Sequence, residues 1–272
     1  MINEKSKTKV KEKTRKNANI NATLKIINSL RSIHGNFSPK DISESHLLQI
    51  IDASIKTANS SARQCYSIIV IDDREQMQEL IGYQGSRALI YCVDFNRLRA
   101  LAKHLGHEFS NEDIIGFITG TMDAMLAAQT AVIAAKSLGI DSLITNGMHR
   151  TNFTKVYELL HLPETSCFPL ITIVLGYPKA EPPHKKGRLS REFVVHFGKY
   201  TPPDTTTLEG IVAEYDDNQK RIGLIDNWEQ EGFRHYLDWF YVKWMGNPPA
   251  TKVPEGKILE FQEQLKKSGF WW

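Results

Sequence analysis

Apolar and polar positions along the chain alternate between short helical faces and dense β-branched runs. Leu24, Ile27 and Leu30 share one side of a short helix over residues 21–30. Ser43 caps a second helix running to about Ala58, with Leu47, Leu48, Ile51 and Ile55 recurring at helical spacing. Tyr66–Ile71 and Ala88–Val93 are apolar through their middles and rich in β-branched or aromatic residues, so both predict strands. A helix of roughly two dozen residues ends at Leu138, with Gly139 placed as its left-handed cap. Residues 114–138 are apolar nearly all round, which predicts burial on every side, in a single-chain core or at a subunit interface. Asp123, Gln129 and Lys136 interrupt that stretch and favour a core helix over a membrane span. Ser142–Thr145 reads as a short strand, Asn146-Gly147-Met148 as a turn, and Thr151–Leu160 as a helix. Leu170–Leu175 reads as a central strand, 178–187 as a connecting loop, and Phe193–His196 as a last short strand. Helices and strands do not alternate strictly, so an α+β architecture is expected rather than a doubly wound sheet.

Length and charge refine this picture. At 272 residues the chain can bury one large core, and 41% hydrophobic with 24% charged residues is ordinary for a globular protein. The formal charge of +3 is unevenly spread. Residues 1–20 carry seven basic groups against Glu4 and Glu12, leaving 27 basic against 29 acidic elsewhere. The expectation is a disordered basic arm over 1–20 followed by a single domain over 21–272. Nucleic-acid binding by the body is not indicated; any such role falls to the arm. From about residue 208 the chain turns polar and helical, then strongly aromatic, and that extension must pack on its own body or on a partner. Cys65, Cys92 and Cys167 show no metal-ligand spacing and predict buried free thiols. With no apolar segment near the N-terminus, a cytoplasmic protein is expected.

Candidate chemistry begins with two basic clusters 155 residues apart, Arg31-Ser32-Ile33-His34 and Lys186-Gly187-Arg188. Guanidinium, ammonium and hydroxyl groups suit a phosphate dianion, although on pattern alone such clusters also read as solvated surface. No GxGxxG after a strand, Walker A motif, HExxH or GxSxG occurs, and the histidines show no metal-ligand pairing. An enzyme lacking side-chain reaction machinery would rely on a cofactor for its chemistry.

Seven segments in order resemble the FMN-dependent nitroreductase superfamily. They are Arg31-Ser32-Ile33-His34, Ser60-Ser61-Ala62-Arg63-Gln64-Cys65, Asp94-Phe95-Asn96-Arg97, Asp123-Ala124-Met125 with Ala128-Gln129, Ala134-Ala135-Lys136-Ser137-Leu138-Gly139, Leu175-Gly176-Tyr177-Pro178 and Lys186-Gly187-Arg188-Leu189. The spacing is similar to the oxygen-insensitive NADPH nitroreductase and NADPH–flavin oxidoreductase branch, from about residue 22 onward. The resemblance implies a nitroreductase-like fold with a central mixed, mostly antiparallel sheet flanked by helices, in an intertwined homodimer with the flavin between subunits. It implies FMN as cofactor and NADPH or NADH as donor. Two-electron, ping-pong reduction of nitroaromatics, quinones or free flavin follows from it. A non-catalytic flavin-binding protein and a sibling flavin enzyme on the same fold are the alternatives.

Carried over by position, Arg31, Ser32, Lys186 and Arg188 match phosphate contacts, and Ser60, Ser61 and Gln64 the loop lining the ribityl chain and ring. Gln84 resembles a reader of the flavin's polar edge, while Asn146, Gly147 and Met148 match a turn whose backbone approaches the ring. His34 stands where relatives carry Arg or Lys. Because histidine titrates near neutrality, an altered or pH-dependent flavin potential is expected. His149 likewise stands at an arginine position, and Gln219, Lys220 and Arg221 occupy the stretch that grips the NADPH 2′-phosphate in that branch.

Overall fold

The computed structural model describes residues 21–110, 113–150, 153–246 and 255–271. The basic arm expected over 1–20 lies outside them, as does the start of the helix expected at Thr151. Four strands form one sheet: β1 (Tyr66–Ile71), β2 (Arg87–Asp94), β3 (Asp141–Thr145) and β4 (Cys167–Gly176), in the order β1-β2-β4-β3. All three strand pairings are antiparallel. The mixed character expected of the sheet reduces to one parallel bridge, Ser32 with Ser142, which lays the 31–33 segment along the outer edge of β3.

Helix α1 (Ala22–Ser29) is capped by Asn21, but it buries none of its residues, and Leu24 and Ile27 are exposed. Helix α2 (Glu44–Ser54) starts at the expected Ser43 cap and packs on α5 (Ile114–Ser137). Helices α3 (Arg74–Ile81) and α4 (Asn96–His104) flank β2, and α6 (Phe153–Leu160) precedes β4. Phe193–His196, expected as a strand, instead overlaps a single helical turn, α7 (Arg191–Val194). No sheet edge reaches it, and the Phe193 ring packs against Gly210 of α8 (Thr205–Asp216).

The sheet separates two apolar cores. One holds Ile90, Cys92, Val93, Phe95, Phe168 and Phe270; the other holds Leu89, Tyr91, Ile173 and the small-residue face of α5. Gly116, Gly120, Ala124, Ala127, Ala128, Ala131 and Ala135 bring α5 close against the strands. At Gly120 a Cβ would sit 2.5 Å from Val93 and 3.1 Å from the Cys65 carbonyl, so glycine is needed for that approach. Burial on every side does not hold within the chain. Ile115 (63% exposed), Ile118 (48%), Met122 (52%) and Leu126 (47%) face outward, because none of the described residues covers that side of the helix. The helix is long and apolar enough to cross a membrane, yet its inner face and Asp123 are buried against protein.

The aromatic residues of the extension pack on one another. Trp228, Tyr236 and Trp239 form a third, smaller cluster against Tyr215 of α8. The last described helix, α9 (Glu255–Lys267), returns Phe261, Leu265 and Phe270 to the first core. All three cysteines are free and buried, as their surroundings predicted.

Candidate functional site

An open cavity of about 680 Å³ lies at the β3 edge, lined by His34, Ile81, Gly82, Tyr83, Thr145, Asn146, Gly147, Arg150 and Ile171 among others. Its walls follow from local structure. The 31–33 segment is hydrogen-bonded to β3 through Ile33 N–H to the Ser142 carbonyl at 3.0 Å, so His34 emerges beside the end of the sheet. Helix α3 ends at Gly82, whose φ of 77° is the left-handed cap that turns Tyr83 toward the same space. Gln84, the expected reader of the flavin edge, is exposed next to Tyr83.

The Asn146–Met148 turn joins this wall through Asn146 and Gly147. A Cβ on Gly147 would lie 2.2 Å from the Ile81 carbonyl oxygen, so glycine is required there by the α3 backbone. The Gly147 N–H donates to Thr145 Oγ1 at 3.0 Å and is already satisfied. The Met148 side chain points away into the core. His149 also turns inward, packed by Phe153, Phe168 and Phe261, with Nε2 2.8 Å from the Pro169 carbonyl. Burial lowers its pKa, and the ring is committed to that carbonyl among the aromatic side chains, so it does not face the cavity. The cation that faces the cavity is the next residue, Arg150, which motif matching missed by one position.

Arg31 sits at the head of an ion-pair network. Its Nε and Nη2 grip Asp141, with Nη2 at 2.7 Å, and its Nη1 reaches Glu181 at 2.6 Å. Lys136 Nζ binds the same Asp141 at 2.6 Å. Burial pushes the Asp141 carboxyl up, but its bonds to Arg31 and Lys136 more than offset that and leave it below the ordinary aspartate value. Ser32 is exposed beside this network.

The second basic cluster arrives on the 178–187 strap. Phe37 bridges Pro178, the Lys179 N–H donates to the Asn36 carbonyl, and Lys185 Nζ reaches the Asn28 carbonyl. The strap therefore crosses the chain just before Arg31. Lys186, Arg221 and His184 converge on Asp226 at 3.3–3.4 Å. Arg188 is exposed and donates to the carbonyls of Lys186 and Gly187. Lys220 is drawn elsewhere: it pairs with Glu214, whose pKa falls to about 2 because the Lys220 and Ser190 bonds outweigh its burial. It clamps α8 to Ser190 and is not open to a nucleotide. Gln219 is exposed nearby, its N–H bound to Asp217.

Ser60, Ser61 and Gln64 form a separate site. They occupy a 3-10 turn just before β1, at the opposite edge of the sheet from Ser32. Ser32 pairs at the Leu175/Arg87 end of the strands, whereas Tyr66 pairs with Val93 at the other end. Four strand spacings of about 4.8 Å, counting the Ser32 bridge to β3, and six residues of about 3.4 Å place the two groups roughly 28 Å apart. The serine turn is strained: Ser61, Ala62 and Gln64 have φ of 51°, 56° and 49°. Buried Asp123 holds it, accepting the Ser60 N–H at 2.7 Å and the Cys65 N–H at 3.1 Å. Such stored strain marks a segment shaped for contact. Among the described residues no cluster of side chains could hold a metal ion.

A scan against protein-family models matches none of them. Individual relatives do match. The oxygen-insensitive NADPH nitroreductase of Salmonella typhimurium is 32% identical over 203 residues, spanning 72% of this chain and 80% of that protein. The FMN reductase [NAD(P)H] of Bacillus subtilis is 29% identical over 238 residues, 82% of this chain and 94% of the relative. Among solved structures, NfrA2 of B. megaterium superposes with a TM-score of 0.74 at 28% identity, covering 93% of this chain and 99% of its own.

Proposed function

Because the chain belongs to the FMN-dependent nitroreductase family, in its NADPH nitroreductase and flavin reductase branch, we propose that it is an FMN-bearing NAD(P)H oxidoreductase whose electron acceptors are nitroaromatics, quinones or free flavin. The observation that supports this reading best is the open cavity at the β3 edge, with a cation-rich strap crossing the chain beside Arg31. The donor set fits FMN: Arg31 and Lys136 outnumber the one buried carboxylate between them, the remaining countercharge being the exposed Glu181, and Lys185 and Arg188 add charge from the strap while Lys186 pairs with Asp226. FMN, when bound, supplies two-electron redox chemistry, and the chain's task is to hold it, orient it and leave one side open. Arg31, Lys186 and Arg188 would take the phosphate. His34, Tyr83 and the Asn146–Gly147 turn would flank the ring, with Arg150 at the mouth to meet an anionic nucleotide. Arg221 and Gln219 remain candidates for the 2′-phosphate, whereas Lys220 and His149 are not.

The working unit in this reading is a homodimer. The serine turn and the Arg31 corner lie too far apart to share one ligand within a chain, but a second copy could bring its serine turn to the first copy's cavity. The uncovered face of α5, with Ile115, Ile118, Met122 and Leu126, supplies an apolar surface for that pairing. Three buried free thiols are in keeping with a reducing cytoplasm.

The test is the visible spectrum of purified protein before and after each nucleotide is added. A flavin band bleached by NADPH or NADH is the expected result. Protein that stays colourless after incubation with excess FMN overturns the proposal.

A further inference from the structure

Arg31 is held by two carboxylates of opposite character. Asp141 is 3% exposed, is shared with Lys136, and is a fixed part of the fold. Glu181 is 75% exposed, and it meets only the outer side of the guanidinium, through Nη1 at 2.6 Å. Two cations against one buried anion leave this corner with a charge of one positive unit, and Glu181 cancels it. Exposed ion pairs contribute little and exchange readily with other anions, whereas a buried pair does not. The strap that delivers Glu181 also delivers Lys185, Lys186 and Arg188, so the carboxylate lies on the same segment as the cations expected to meet a phosphate.

We propose that Glu181 is a built-in competitor for the cofactor phosphate: its carboxylate occupies the outer face of Arg31, and FMN must displace it to reach that guanidinium. The proposal rests on the flavoprotein reading above and adds a residue that sets cofactor affinity. Its consequence is selective. Removing the Glu181 charge favours a flavin that carries a phosphate and leaves one without it unaffected.

Dissociation constants for FMN and riboflavin, measured by flavin fluorescence quenching on the full chain and on Glu181→Gln and Glu181→Ala, test this. Both variants are expected to bind FMN roughly two- to fivefold tighter than the parent, the range of an exposed ion pair. Riboflavin affinity should stay constant, and the FMN gain should shrink as salt rises. Unchanged or weaker FMN binding in both variants, or an equal change for riboflavin, overturns the role of Glu181 while leaving the flavoprotein reading intact. Failure of the parent and both variants to bind FMN at all defeats that reading and this proposal together.

Discussion

Replacing Asp123 with asparagine tests how the serine turn is held. The carboxylate is 1% exposed and anchors both ends of the turn, at the Ser60 and Cys65 amides. Between those anchors Ser61, Ala62 and Gln64 are left-handed, at a cost of about 1–2 kcal/mol each. Hydrogen bonds to a charged acceptor contribute about 1.5–3 kcal/mol each, so two of them offset a strain of the same size. Asparagine preserves the volume but replaces one acceptor oxygen with a donor, leaving one amide facing an NH2 group. Cys65 is fully buried, so water cannot take over at that end. The expected loss is about 2–3 kcal/mol. For a chain of this size each kcal/mol lowers Tm by about 2–4 °C, so the melting point should fall by about 4–12 °C. Thermal unfolding by circular dichroism reads the shift, and FMN titration below the transition should show weakened binding. A variant melting within about 1 °C of the parent would refute the claim that this carboxylate holds the turn.

Four further outcomes follow from the same geometry. Arg188→Ala removes an exposed cation from the strap and should weaken FMN binding roughly ten- to a hundredfold, the value of one charge-assisted phosphate contact, in a fluorescence titration. Gly147→Ala drives a methyl to within 2.2 Å of the Ile81 carbonyl and should destabilise by at least about 1–3 kcal/mol in urea unfolding, with or without flavin. His149 is half-buried with a lowered pKa, so protonation favours the unfolded chain and stability falls as pH drops below the ordinary histidine value of about 6.5; His149→Phe should flatten that slope in urea midpoints taken across pH. Ile118→Lys places a charge on the uncovered α5 face and should shift the protein from dimer to monomer in sedimentation analysis, with loss of bound flavin.

The interior of the fold is legible because its signal is local. β1 matches its apolar run residue for residue, and β2 extends its run by one residue at each end. The start of α2 follows from the Ser43 side chain, and the end of α5 from Gly139, whose φ is 75°. Helix α4 escapes periodicity because it buries none of its residues, and α3 because polar residues dominate it between Met77, Leu80 and Ile81. Phe193–His196 misleads because β-branched composition is a weak guide without a neighbouring strand. At the site, His34, Asn146 and Gly147 line one cavity. Side-chain direction is a different matter. His149 and Arg150 are adjacent in sequence, yet one faces the aromatic core and the other the cavity. Asp141 and Glu181 could not be read as Arg31 partners, because 110 and 150 residues separate them from it.

In the proposed dimer, the two groups that would meet at the flavin are built on opposite physical terms. The serine turn depends on strain balanced by a buried carboxylate, so its shape is set before any ligand arrives and changes only if Asp123 is lost. The Arg31 corner is tied inside by Asp141 and Lys136 but finished outside by an exposed pair, so its outer charge is open to exchange. A preformed turn lowers the ordering cost of binding, while an exchangeable countercharge keeps the guanidinium oriented without holding it beyond the reach of a phosphate. Mutations should therefore divide by corner. Those at Asp123 should change stability and binding together, whereas those at Glu181 and Arg188 should change binding and its salt dependence with little effect on Tm. A large loss of Tm on replacing Glu181 would contradict this division, because an ion pair 75% exposed on one side cannot hold the fold.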